Sequence, residues 1–293
     1  MMGRTWMFVL VCASGSSVSV AQSVSPGRIV ASHDVNPLST SIADAQAEAF
    51  AVNCADWLTE VATGPKRLLL FECATEPLRD YSPGVEAALV SAGYDITVTR
   101  DISLTIDDFL AYDAVFFGLR VPEGGGLSQL DLIQYVVSGG SVYVYGGATD
   151  GILDDRDATN EFLAAFGMEF NACCTTPVTP ITITGTHPIF DGITVLPSGV
   201  GQDVININPA DPRTLEVEVL PNGLVVYAVF DGTLQCTAVD LAQPFGVLDL
   251  ADIDAFISAF LSGDVAADFA PPPGVLDLGD IDAFIAGFAA GCP

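Results

Sequence analysis

The sequence is poor in positive charge. Nine Lys and Arg residues stand against 37 Asp and Glu, and the formal net charge is −28. Lys66 is the single lysine. A surface of this sign repels polyanions, which excludes nucleic acid and anionic membranes as natural partners. Histidine is scarcer still, with only His33 and His187 in the chain. Half the residues are hydrophobic, yet no unbroken apolar run approaches the roughly 18 residues that a bilayer-spanning helix needs. GxSxG, HExxH and P-loop sequences are all missing, which removes the commonest local signatures of hydrolases, zinc proteases and nucleotide-binding enzymes.

The first feature present is a short apolar stretch, Thr5 to Ala13, behind Arg4 and ahead of a Ser-rich run ending Val18-Ser19-Val20-Ala21. With small residues at Ser19 and Ala21 it reads as a secretory signal over residues 1–21, cut after Ala21. A lipid anchor on Cys12 does not fit, because Val11 before it is the wrong size. Six cysteines remain: Cys54, Cys73, Cys173, Cys174, Cys236 and Cys292. An even number in an exported chain favours disulfides. Cys236 and Cys292 bracket the last part of the chain, and a bond closing that loop would contribute about 4 kcal/mol in chain-entropy terms. The sequence singles out no partners for the other four.

Between these ends, apolar runs and helical spacings alternate. Short strands are expected at Arg28–Ser32, Arg67–Phe71, Asp95–Arg100, Ala114–Leu119 and Ser141–Tyr145. Helices are expected over Ile42–Val61, Val85–Val90, Thr105–Ala111, Leu127–Val137 and Asn160–Phe166. Strands alternating with helices at this spacing argue for βαβ units and a parallel sheet. After Phe170 the texture turns to β, with runs at Ile181–Thr184, Thr214–Leu220 and Gly223–Phe230 expected at a sheet edge or flap. The order of elements resembles the glutamine-amidotransferase-like group of flavodoxin-like domains. The residues that carry the likeness are the Asn53-x-x-Asp56-Trp57-Leu58 helix, Tyr112-Asp113-Ala-Val-Phe-Phe117 and His187-Pro188-Ile189-Phe190-Asp191-Gly192. The resemblance implies a three-layer α/β domain with a mostly parallel, flavodoxin-like sheet over residues 25–232.

Catalytic members of that group carry a nucleophilic cysteine on the turn after a central strand. Here that turn reads Gly146-Gly147-Ala148-Thr149-Asp150-Gly151. It holds no cysteine or serine, and no base is placed to activate Thr149. His187, before a proline, is expected to set a turn. Asp150, Asp154, Asp155, Asp157 and Glu161 follow a strand end, where open α/β sheets bind ligands. The favoured reading has Asp157 or Thr159 capping the next helix and the other acids solvated. Gly124-Gly125-Gly126 lacks the lysine of a phosphate cradle. Cys173-Cys174 lacks a second thiol pair for a metal.

The most specific signal lies over residues 236–293. Asp240 to Ile257 recurs from Asp268 to Ile285 as DFAPPPGVLDLGDIDAFI, 28 residues later. Each copy reads as an acidic, glycine-containing loop and a short amphipathic helix. Ile253, Phe256, Ile257, Phe260 and Leu261 form one apolar stripe, and Ile281, Phe284, Ile285 and Phe288 the other. Each stripe is too small to form a core alone, so the two helices are expected to pack as a pseudo-symmetric pair.

This doubled GVLDLxDIDAFI pattern resembles a dockerin, and more narrowly the GC-type dockerin family of bacterial surface proteins, which end in Gly-Cys-Pro like Gly291-Cys292-Pro293. The resemblance implies an all-α two-repeat module, calcium in the loops and a protein partner, cohesin-like or another surface receptor. Asp240, Asp249, Asp252, Asp268, Asp277 and Asp280 are the side-chain ligands it would use. The loops depart from the calcium scheme identically. Ala242 and Pro244, with Ala270 and Pro272, stand where two ligand side chains belong, and Asp252 and Asp280 arrive one residue late. The alternative reading makes Asp249 or Asp252 a helix-start residue favoured by the helix dipole. The expectation is an exported, non-catalytic α/β protein anchored to a cell surface or extracellular assembly by its tail. The alternative is a secreted hydrolase or amidase targeted by the same module.

Overall fold

The computed structural model describes residues 25–39, 44–60, 62–72, 80–101, 103–118, 127–147, 156–172, 175–176, 179–234, 239–242 and 248–291. The expected signal over residues 1–21, Gly124–Gly126, Thr149, Asp150, Asp154 and Asp155 lie outside them. So do Cys73, Cys173, Cys174, Cys236 and Cys292, and with them the expected Cys236–Cys292 bond.

The chain opens with β1 (Arg28–Ser32), α1 (Ala45–Leu58), β2 (Arg67–Phe71), α2 (Pro83–Ser91) and β3 (Asp95–Thr99). It continues through α3 (Ile106–Phe109), β4 (Ala114–Gly118), α4 (Gln129–Val137), β5 (Ser141–Tyr145) and α5 (Arg156–Ala164). Four short strands follow: β6 (Met168–Phe170), β7 (Ile181–Thr182), β8 (Val195–Leu196) and β9 (Val204–Asn206). A hairpin of β10 (Thr214–Val219) and β11 (Val225–Asp231) precedes the terminal helices α6 (Leu250–Ser262) and α7 (Leu278–Ala290).

Seven strands make one sheet in the order β10-β11-β1-β5-β4-β2-β3. The five from β1 to β3 in that order are mutually parallel, and β11 and β10 add antiparallel neighbours beside β1. The sheet is therefore mixed and mostly parallel. Its central strands are apolar in sequence because both faces are covered. Val30, Leu68, Leu70, Phe116 and Tyr143 pack under α1 and α2, while Ile29, Leu69, Val115, Phe117 and Val142 pack against α3, α4 and α5.

Local chemistry sets the helix boundaries. Asp44 accepts the Gln46 N–H and starts α1 three residues after the expected Ile42. Ser82, followed by Pro83, starts α2 before the expected Val85. α5 starts at Arg156, four residues before the expected Asn160. Asp157 and Thr159 thus fall within the range of α5, and Thr159 is buried. The β6–β9 pair, Met168 to Phe170 against Val204 to Asn206, was not expected from the sequence. Its strands are three residues each, too short for a period-two pattern to register.

α6 and α7 have a cluster of their own. Val239, Phe256, Ala267 and Phe284 are its buried members, with Ile253, Phe260, Phe269, Ile281 and Phe288 packed around them. Among the described residues, no helix is long and apolar enough to cross a membrane.

Candidate functional sites at the sheet edge and in the terminal repeat

In an open α/β sheet, ligands sit at the carboxyl ends of neighbouring strands whose crossover helices leave to opposite faces. β1 and β5 are such a pair, because α1 and α5 pack on opposite faces. β1 ends in Ser32-His33-Asp34, and β5 runs into Gly146-Gly147, the start of the turn expected to carry a nucleophile. His33 is fully buried. Its Nδ1 lies 3.1 Å from the Val226 carbonyl and its Nε2 lies 3.0 Å from Ser198 Oγ. A carbonyl only accepts, so Nδ1 carries the proton and Nε2 accepts from the serine hydroxyl. Burial pulls the His33 pKa down to about 4, against a smaller opposing effect of the Val226 hydrogen bond.

Sequence reading missed the Ser198–His33 contact. The two residues are 165 apart in the chain, and no motif links them. The available signal was the placement of His33-Asp34 directly after the first strand.

The segment from Ser198 to Asp203 fills the β1/β5 crevice. Gly199 N–H donates to the Asp34 carboxylate, Gln202 N–H to the His33 carbonyl, and Gly147 N–H to Gln202 Oε1. Gly201 lies so close that a Cβ there would fall 2.2 Å from the His33 oxygen. Ser198, Gln202 and Asp203 are all buried. The chain's own backbone thus closes the β1/β5 crevice.

His187 is far from this edge in role and partners. It precedes a short 3-10 turn, Pro188–Phe190, where its ring accepts the Ile189 N–H, and it meets the Trp57 ring edge-on at 4.9 Å. Burial lowers its pKa. The turn-setting role expected for it holds. Three of the scarce cations are engaged within the α/β part. Arg28 bonds Asp231 and Glu60 and lies over Trp57, Arg100 bonds Glu72 and Asp80, and Arg213 grips Asp211 through two hydrogen bonds.

In the terminal repeat the two copies place their acids alike. Asp249 is the N-cap of α6 and accepts the Ala251 N–H, and Asp277 does the same for α7 with Gly279. Asp252 accepts Leu241 N–H at 2.7 Å and Ala242 N–H at 2.8 Å on one oxygen, and Asp249 N–H at 2.9 Å on the other. Asp280 accepts Phe269, Ala270 and Asp277 N–H groups, all at 2.8 Å. Both carboxylates are inaccessible to solvent. Each therefore joins the start of its helix to the preceding loop. These donors hold the Asp280 pKa below the ordinary carboxylate value. Asp268 accepts the Gly274 N–H, and Asp240 is buried.

As placed, Asp252 and Asp280 serve backbone amides. Three of the roughly four lone-pair sites on each carboxylate accept these bonds. Among the described residues, no three His, Cys, Asp or Glu side chains gather as a metal site. The helix-start reading and the loop-tying geometry account for the same four aspartates.

What the repeat does offer is a groove between α6 and α7 of about 300 Å³, lined by Ile253, Phe256, Ile257, Ile281, Phe284, Ile285, Phe288 and Ala289. No polar atom contributes to its wall. Ile257 and Ile285, related by the repeat, are 47% and 57% exposed. A second cleft, of about 500 Å³, lies at the amino edge of the sheet between Ser25, Asp113, Tyr135 and Gly140. That edge is opposite the one where such sheets bind ligands.

Compared with protein-family models, curated proteins and solved structures, the chain matches none.

Proposed function

We propose that this chain is an exported, non-catalytic α/β protein held at a cell surface or extracellular assembly by a protein partner that docks on its terminal repeat. The observation that carries the reading is the all-carbon groove between α6 and α7, lined by three equivalent residues of each repeat copy together with Phe288 and Ala289 of the second. Exposed apolar surface of this continuity is characteristic of an interaction site. In this reading residues 236–293 form a dockerin-like module that serves as the anchor. Residues 25–232 form a flavodoxin-like domain that is carried. The strands β2 to β5 support that label, since their spatial order β3-β2-β4-β5 follows the flavodoxin pattern. The next place is taken by β1, from the start of the domain. Calcium is not required by this reading.

The test is retention of the labelled full-length chain on the envelope of the cells that export it. Wild type is expected to be retained and Ile257→Asp/Ile285→Asp to be washed off. Equal retention of both would overturn the reading.

The Ser198–His33 contact favours one other reading, the secreted hydrolase or amidase. A serine hydroxyl donating to an imidazole is the arrangement of an activated nucleophile. A base with a pKa near 4, buried under its own chain, is a poor acceptor for that proton at neutral pH. Ester, amide and glycoside substrates should therefore give no turnover that depends on Ser198 or His33. Turnover lost in Ser198→Ala would establish the hydrolase instead.

A further inference from the structure

The groove also constrains what can occupy it. Both of its walls are helices, whose backbone groups are bonded along the helix, and its lining contains no polar atom. An extended strand laid there would find no main-chain partners for its own N–H and C=O groups. An occupant must satisfy its backbone internally, as a helix does, and present a stripe of apolar side chains.

Charge narrows the partner further. From Cys236 to Pro293 the chain has no Lys, Arg or His, and it has nine aspartates. Asp254 and Asp282 are exposed, and each follows a groove residue, Ile253 or Ile281, by one position and precedes Ile257 or Ile285 by three. The repeat thus sets a carboxylate beside each wall. The repeat itself holds no cation to offset them. A second copy of the chain would bring like charge to like charge, and an anionic lipid surface would do the same.

We infer that the groove takes an amphipathic helix of a partner protein whose apolar stripe is edged on both sides by Lys or Arg. This rests on the docking reading above and adds the partner's shape and sign.

The test uses the full-length chain and two synthetic helical peptides with the same leucine stripe at i, i+3, i+4 and i+7, one edged with Lys and the other with Glu. Binding is read by fluorescence anisotropy at low and physiological salt, and self-association by sedimentation. The Lys peptide is expected to bind at least about tenfold more tightly than the Glu peptide, an advantage that shrinks as salt rises. Ile257→Asp/Ile285→Asp, which changes only exposed positions, should lose at least about tenfold for the Lys peptide. Asp254→Asn/Asp282→Asn should lose severalfold with an unchanged circular dichroism spectrum. If both peptides bind equally and the isoleucine variant binds neither, the charge inference is overturned and the docking reading stands. Lys-peptide binding unchanged in the isoleucine variant would overturn both. Binding by neither peptide, or a dimer that the isoleucine variant abolishes, would overturn the helix-partner inference.

Discussion

The rings of Phe256 and Phe284 stack with their centroids 4.1 Å apart and their planes within 9° of parallel. They occupy the same place in the two repeat copies, so the repeat folds by bringing one copy against the other. Phe260, Phe269 and Phe288 surround the pair. With four buried apolar members in this cluster, few contacts can compensate for the loss of one.

Phe284→Ala should therefore unfold the terminal repeat and leave the α/β part intact. Truncating a buried phenylalanine costs about 3–5 kcal/mol, comparable to the whole stability a core of this size supplies. Hydrogen exchange on the full chain should show amide protection lost over α6 and α7 together. Trp57, buried in α1, should keep its emission and its unfolding midpoint. A loss confined to α7 would show that the two copies do not fold as a unit.

The aspartate ties make a second prediction, about metal. Asp252→Ala and Asp280→Ala each remove an acceptor of three backbone N–H groups, and buried donors left without a partner are costly. Exchange at Leu241 and Ala242 should accelerate in the first variant, and at Phe269 and Ala270 in the second. Millimolar calcium or a chelator should change neither wild-type protection nor melting temperature. A calcium-dependent rise in either would show that the carboxylates turn from the backbone to a metal. On the acid side, Asp280 has a lowered folded pKa. Its stabilising effect is present above the ordinary carboxylate pKa and is lost as pH falls through the lowered value.

Four of the five parallel strands were legible because each is an apolar run buried on both faces, and Arg28–Ser32, Arg67–Phe71 and Ser141–Tyr145 match to the residue. The fifth, β3 (Asp95–Thr99), is a part-exposed edge strand marked by its β-branched alternation instead. The helix pair was legible because a 28-residue repeat writes the same stripe twice. The β1/β5 crevice was not, because its filling comes from Ser198–Asp203. That segment has no period and no motif, and its position depends on long-range bonds such as Gly199 to Asp34. The direction of the Asp252 and Asp280 carboxylates was equally hidden. Spacing reports that an acid is near a helix start, and only the loop's fold decides whether it meets a cation or three amides.

Gly201 offers a test of that crevice. Its missing Cβ leaves room for the His33 carbonyl, which is backbone and cannot move aside as a flexible side chain would. Gly201→Ala should destabilise the α/β part by about 1–3 kcal/mol, as overpacking does. Val200→Ala, at the exposed tip next to it, should stay within about 0.5 kcal/mol of wild type. If Gly201→Ala is neutral, the segment does not press on the sheet edge, and the crevice is open to ligands.

His33 should give the α/β part an acid-sensitive stability. Its ordinary pKa of 6.5 falls to about 4 in the fold, so the unfolded chain takes up a proton in that interval and the folded chain does not. Stability from the neutral imidazole is complete above pH 6.5, declines as pH falls, and is gone below about pH 4. The interval corresponds to about 3 kcal/mol at 1.36 kcal/mol per pH unit. Denaturant unfolding of wild type and His33→Gln, followed through Trp57 from pH 7 to pH 4, isolates this one group from the many carboxylates common to both. The stability difference between the two should shift against wild type by that amount as pH drops. A difference that stays constant with pH would place the imidazole in contact with water, where its exposure would reopen the case for Ser198 as a nucleophile.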